Sequence, residues 1–531
     1  MMDATARPGY RWAACIGALL VLCIPLLVAE VPPLLDYPNH LARTYVLAFG
    51  QDDSVLSRLY TEHWEVIPNL AIDVVLTGLM RVLPVYVAGR VMLGLILLLN
   101  YAAIILYSRS VFGRWSWWPL AGALMGYHAL FLMGFMNFQV GIALAMLTAA
   151  GWNAWRERYP LPTIAGAALA ATLVFFSHIF GLAFCGVLIG ARELLASWRE
   201  WRAGDRWAVP RRGAALAVVF LPSAVLYLGA QLSQTDEGLV SWLPAAAKLK
   251  NLTEPFMNYY AAFDKLTALA ILLLVGACLW LRRIRVHRPS ALAGLACFGL
   301  YLLMPATLKE ASFIDARFPI MLGMLLFAGL LPSLPARPAR LVGLALAALF
   351  LVRMGVVATV WAGQNRDIAD IRRSIAPVEP GSRVLVTTVD PGSNPDFWRS
   401  HGRRLAIADF CRTDQHLGAL LTIERHAFWP MVFTSPGQQP LRVLPPYDAL
   451  AEPAGYLPDY QQLDPAIVLP YGIDRPAYMA DWPDTFDYVL LLNAGGMKAL
   501  PAYAADRLDP VNRTTMAALY RVRRPATSAG T

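Results

Sequence analysis

Apolar runs of about 20 residues recur from the start of the chain to near residue 361, and a helix of that length crosses the roughly 30 Å hydrocarbon core of a bilayer. Read by length alone, spans fall near 12–31, 85–107, 117–134, 136–154, 161–180, 182–198, 213–231, 265–281, 290–305, 317–333 and 339–361, about eleven in all. In hydrocarbon every backbone polar group needs a partner within its own segment, so runs like these imply helices. Composition agrees, because 57% hydrophobic and 15% charged residues over 531 positions are too apolar for an ordinary soluble domain.

Charge asymmetry tests the list of spans, since cytoplasmic loops are rich in Lys and Arg. Alternate loops carry Arg109 and Arg114, Arg156 and Arg158, the run Arg199, Arg202, Arg206, Arg211 and Arg212, then Arg282, Arg283, Arg285 and Arg288, then Arg337 and Arg340. The opposite loops carry Asp36, Asp52, Asp53, Glu62, Glu65, Asp236, Glu237 and Glu310. With an odd number of spans the N-terminus is cytoplasmic, and everything after Gln364 is extracytoplasmic. The formal charge of +9 is spread as short clusters between apolar runs, which is the bias of a membrane protein and excludes nucleic acid as a partner.

Arg7 and Arg11 ahead of an apolar stretch, with no small-x-small cleavage site before Pro32, read as an uncleaved signal anchor. The segment Asn69 to Leu83 is too short for a crossing and contains Asp73; Pro68 and Pro84 bound it as a helix in or near the outer interface. The first outer loop therefore occupies 32–84. After Gln364 the pattern changes to strand-like runs, RVLVTTV at 383–389, YVLLL at 488–492 and ALYRV at 518–522, among Pro, Gly and Asp-rich loops. The expected organisation is a polytopic α-helical membrane domain over 1–363 and a small extracytoplasmic α/β domain over 364–531, in the inner membrane of a cell.

No GxxxxGK[ST], no GxGxxG after a strand, no HExxH and no CxxC occurs, so nucleotide-phosphate cradles and common zinc sites have no support. Five of the six cysteines lie in apolar runs and only Cys411 lies in the tail, which excludes a disulfide framework. Chemistry must come from scattered polar groups at the outer ends of spans, where an ionisable side chain is costly unless it faces a wet cavity. LLDYPNHLAR at 34–43, directly after the first span, is the most informative. Asp36 there is either an ordinary capping aspartate of the helix that follows or a general base held ionised by that helix's N-terminus. In the tail, ERHAFWP at 424–430 and FTSPGQQP at 433–440 mix aromatic and polar groups and suit either carbohydrate contact or an ordinary loop core.

A first span, a long outer loop opening on an acidic residue, many further spans and a soluble extracytoplasmic tail resemble the GT-C superfamily of polytopic glycosyltransferases, among them bacterial arabinosyl, mannosyl and lipid A-modifying transferases. The resemblance covers nearly the whole chain and rests on arrangement, with few motifs. It implies a sugar donor linked to polyprenyl phosphate, a glycan or lipid acceptor of the cell envelope, and Asp36 as the base. Many members have two adjacent acidic residues, whereas Tyr37 follows Asp36 here and Asp52 and Asp53 are weak substitutes. No cofactor is implied, and a divalent metal has no support from the residues. A phosphate leaving group asks for cations at the outer boundary, and Arg317, Lys309 and Arg353 are the candidates, against interfacial or paired structural roles. Tyr37, Asn39, His40 and His63 of the first loop, with Asn137 and His178 at turns between spans, are expected to line the cavity. A transporter or lipid flippase is the chief alternative, but neither inverted repeats nor broken midplane helices stand out. A non-catalytic envelope assembly protein is another.

Overall fold

The computed structural model describes residues 8–230, 240–308, 311–407, 411–468 and 475–524. Lys309, Glu310, Asp236 and Glu237 lie outside the described residues. Within them, seven helices are long and apolar enough to cross a membrane: Tyr10–Val28, Val85–Phe112, Pro160–Ser177, Ile179–Arg202, Ala208–Gly229, Ala261–Trp280 and Ala336–Ile375. Helices also form at Met136–Trp155, Arg288–Leu303 and Arg317–Ala328. The last two have 16 and 12 residues, and at 1.5 Å per residue they reach only about 24 and 18 Å. Ala71–Met80, at ten residues, is likewise too short to cross, as its length in the sequence indicates.

One expected span, besides the two that form shorter helices, does not form a continuous helix at all. Over 117–134 the chain makes a 3-10 helix at Trp118–Met125 and a four-residue helix at Ala129–Leu132. The glycines explain it. A Cβ on Gly122 would lie 2.9 Å from Ile104 Cδ1, and one on Gly126 would lie 2.4 Å from Leu22 Cδ2, while Gly134 takes φ +85°. The segment is apolar because protein packs against it at close backbone range, and a regular helix would forfeit those approaches.

By contacts the chain divides into two compact units. The first comprises Met1–Leu27, Glu65–Ile72 and Val91–Ala358, and so holds most of the apolar helices. Small residues bring helices together within it, since a Cβ on Gly181 would meet the Gly141 carbonyl carbon at 2.6 Å. Its Arg-rich loop is anchored by Arg212, whose Nη1 reaches Glu193 Oε2 at 2.7 Å, and Trp152 Nε1–H donates to the same carboxylate at 2.9 Å.

The second unit comprises Val28–Trp64, Asp73–Arg90 and Thr359–Thr531. Its centre is a four-stranded sheet of β1 (Val384–Thr388), β2 (Tyr488–Leu492), β3 (Leu508–Arg513) and β4 (Ala517–Val522), in the order β3-β4-β2-β1. β2 pairs parallel with β1 and antiparallel with β4. β1 and β2 are buried throughout, as continuous apolar runs covered on both faces should be. Leu385, Trp482, Phe486, Val489 and Leu491 form the core. β3 lacks a sequence signal because it is a polar edge strand interrupted at Pro510 by a register shift.

Most of the first outer loop belongs to this second unit, whereas the sequence assigns it to the membrane domain. Tyr60–Glu62 pairs antiparallel with Leu441–Val443, with Tyr60 opposite Val443. Arg372 Nη1 contacts Glu30 at 2.7 Å, and its Nε contacts Glu424 at 2.7 Å. Separate backbone and charged ties thus join the loop to the tail.

Candidate functional site

Asp36 ends the link after the first apolar helix and occupies the N-cap position of the helix Tyr37–Phe49, where Pro38 suits the first turn. Its side chain makes no cap hydrogen bond. Only its backbone carbonyl serves the helix, accepting the Asn39 and His40 N–H groups at 3.0 Å each. The carboxylate, 17% exposed, instead faces His416 of the tail, whose Nε2 lies 3.4 Å from Oδ1. Burial pushes the Asp36 carboxyl up to about 7, and Arg43 pulls in the opposite direction. The helix N-terminus was expected to hold it low; the cost of desolvation is larger, because no N–H of the first turn bonds the carboxylate.

Asn39 ties this corner to the tail. Its Oδ1 accepts the Phe433 N–H at 2.8 Å, and its Nδ2 donates to Met431 O at 2.7 Å and lies 2.9 Å from His416 Nδ1. The His416 ring packs against Phe433 and Trp429 at centroid distances of 5.1 and 6.2 Å. Burial lowers its pKa to about 3, so the ring is neutral. Arg43 supplies the cation. Its Nε donates to Asp73 Oδ1 at 2.6 Å, its Nη2 lies 3.1 Å from His40 Nδ1, and its guanidinium stands over Phe433 at 5.8 Å. The second unit therefore brings Asp36, Asn39 and His40 together with three groups the sequence did not nominate: Arg43, Asp73 and His416.

A second cluster lies in the first unit. Arg317 begins the helix Arg317–Ala328, and its buried guanidinium stands over the rings of Phe180, Phe135 and Phe138 at 5.0, 5.2 and 6.0 Å. Nη1 donates to Ser312 O at 3.1 Å, and Nε has no hydrogen-bond partner. His178 shares two of those rings, at 5.5 Å from Phe138 and 5.7 Å from Phe180. It caps the helix Ile179–Arg202 by accepting the Phe180 N–H on Nδ1 at 3.0 Å.

The other nominated residues have different duties. Arg353, fully buried, donates from Nη1 to Asp264 Oδ1 at 2.7 Å and from Nη2 to Phe256 O at 2.5 Å, so its charge is already matched inside the first unit. Asn137 staples a loop, accepting the Ile72 N–H at 3.0 Å and donating to Asn69 O at 2.7 Å, which leaves its amide committed. The Tyr37 ring is packed away from solvent, and a Cβ on Gly89 would fall 2.1 Å from its hydroxyl. His63 is exposed, and its N–H donates to Pro440 O at 2.9 Å beside the loop-to-tail strand pair. Lys309 lies outside the described residues. Asp53 caps a turn, accepting the Val55 and Leu56 N–H groups at 2.9 and 2.8 Å, and contacts His426 at 2.9 Å.

Among the described residues no group of three or more His, Cys, Asp or Glu side chains is placed to hold a metal ion.

The apolar helices, the loop opening on an ionisable carboxylate and the strand-containing tail make a mostly helical chain with seven helices, among the described residues, long and apolar enough to cross a membrane. The chain is similar in fold to ArnT from Cupriavidus metallidurans in the apo state, with a TM-score of 0.50 and 13% identity over 96% of this chain and 97% of that one. The crystal structure of ArnT from the same organism bound to undecaprenyl phosphate gives a TM-score of 0.48 and 12% identity over 99% of this chain and 100% of that one. No protein-family model and no curated protein matches the chain.

Proposed function

We propose that the chain is a membrane glycosyltransferase that moves a sugar from a polyprenyl-phosphate donor to a hydroxyl of an envelope glycan or lipid, on the extracytoplasmic face, with inversion. The observation that carries this reading is the Asp36 carboxylate, free of the cap bond its position invites and titrating near neutrality. A base works best when its pKa lies near the working pH. In a single displacement the acceptor O–H bond breaks and its proton passes to Asp36. The acceptor oxygen bonds to the anomeric carbon, and the bond from that carbon to phosphate oxygen breaks with its electron pair leaving on the phosphate. Arg317, a buried cation near the Asp315 charge but in no ion pair among the described residues, with an unpaired Nε, suits a lipid phosphate. The tie between the first loop and the tail, Tyr60 opposite Val443, supports a loop and a tail that share one side of the membrane.

The test is Asp36→Asn in lipid nanodiscs supplied with a polyprenyl-phosphate sugar. Transfer should fall ~10²- to 10⁴-fold while insertion is unchanged. In the wild type the base must be ionised, so transfer should climb as pH rises through about 7 and level off above it. Undiminished transfer by Asp36→Asn would remove Asp36 from the chemistry.

A further inference from the structure

The tail has no assigned duty in that reaction, yet it sets the His416 side chain 3.4 Å from the Asp36 carboxylate. Which proton His416 carries can be worked out from hydrogen bonds alone. Asn39 Oδ1 accepts the Phe433 N–H, so its amide orientation is fixed and the two Nδ2 hydrogens are left for Met431 O and His416 Nδ1. A ring nitrogen that accepts a hydrogen bond bears no proton. His416 is therefore the neutral tautomer with its hydrogen on Nε2, and that N–H faces Asp36 Oδ1 at 3.4 Å. The distance is long for a finished bond, as contacts of a base often are before substrate binds.

We infer that His416 is a positioning residue for Asp36: its Nε2–H, fixed in that tautomer by Asn39, takes one oxygen of the carboxylate and leaves the other for the acceptor's proton. The role of the base rests on the function proposed above; the pairing itself does not. A donor bonded to a carboxylate favours its ionised form. Among the described residues, Arg43 from its own helix and His416 from the tail are the charged or titratable groups that act on or face Asp36, while Asp73 and His40 hold Arg43. Arg43 is thus pinned, and His416 is the partner that the tail can present or withdraw. The aromatic residues of two tail stretches, Trp429 and Phe433, set the plane of its ring. A cap over the cavity would need no such lock.

The experiment reads Asp36 directly and needs no substrate. Dicyclohexylcarbodiimide modifies protonated carboxyls in apolar surroundings, and labelling of Asp36 in full-length protein in nanodiscs can be followed against pH by peptide mass spectrometry. Wild type should be half-labelled near pH 7. His416→Phe keeps the packed ring and removes the donor, so the midpoint should rise by about one pH unit, a roughly tenfold gain in proton affinity. His416→Gln, which can donate from its amide, should return the midpoint to within about 0.3 units of wild type on the same scale. An unmoved midpoint in folded His416→Phe overturns the inference. If that variant fails to fold, the wild type decides: nitrogen-15 spectra of histidine-labelled protein, with His416→Gln as the blank, should show a pyrrole-like Nε2 and a pyridine-like Nδ1 at pH 7, and the reverse assignment overturns it. Loss of the proposed reading would show separately, as transfer surviving in Asp36→Asn while the labelling shift with His416→Phe persists.

Discussion

Arg353 and Arg317 are both buried arginines of the same membrane unit, and they are accommodated in opposite ways. Arg353 meets a carboxylate and a backbone carbonyl, so its charge is cancelled where it sits. Arg317 meets three aromatic faces and a single carbonyl, with the Asp315 charge nearby but not in direct contact; ring quadrupoles soften the cost of burying it without neutralising it. The pair teaches that depth in an apolar segment does not mark a functional cation. What separates the two is a direct ion pair: Arg353 has one with Asp264, while among the described residues Arg317 feels Asp315 only through space.

Three measurements would sharpen or break that contrast. Asp264→Ala strands the Arg353 charge, and thermal unfolding in detergent should show a loss of about 3–5 kcal/mol; replacing both partners by leucine should restore much of it. If Asp264→Ala leaves stability unchanged, the pairing is not what keeps Arg353 buried. Arg317→Leu should barely alter stability but weaken binding of a polyprenyl phosphate by about 10- to 100-fold, the worth of one charge-assisted contact of ~1.5–3 kcal/mol. Native mass spectrometry with that lipid would record it, and equal binding by the variant would return Arg317 to a purely structural role. The smallest effect belongs to the rings. Phe180→Leu should destabilise the unit by ~0.5–2 kcal/mol, and the same change made in an Arg317→Leu background should cost less, because the cation to be sheltered is gone.

Much of the architecture is legible because span length and loop charge are fixed by the bilayer, an environment common to all such chains. The residues at 117–134 mislead because burial against protein makes a segment as apolar as lipid does, and only its glycines hint at the irregular path. The strands at 384–388, 488–492 and 517–522 are announced by buried β-formers, while Leu508–Arg513, polar and at an edge, is not. Asp36 is readable from its place after the first span, but its environment is not. Desolvation and the approach of His416 depend on a fold that closes across 377 positions between Asn39 and His416. The aromatic stretches of the tail signal contact of some kind, and the structure brings Phe433 onto His40 and His416. Arg43 and Asp73 could have been paired from the sequence by asking what would neutralise an aspartate in a short apolar helix.

The strand pair that joins Tyr60–Glu62 to Leu441–Val443 also sets a timetable. At about 5–20 residues per second, a ribosome needs roughly 20 to 80 s to travel between those two stretches. During that interval the early half of the pair is an open edge, and the carboxylate beside it has no histidine to face. A nascent chain thus lacks the completed corner around Asp36 until its last third has been made and has closed on the first loop. Truncation anywhere before residue 441 removes one half of that strand pair, so the same long-range closure that makes the corner around Asp36 hard to read from its letters is also the last part of it to be completed.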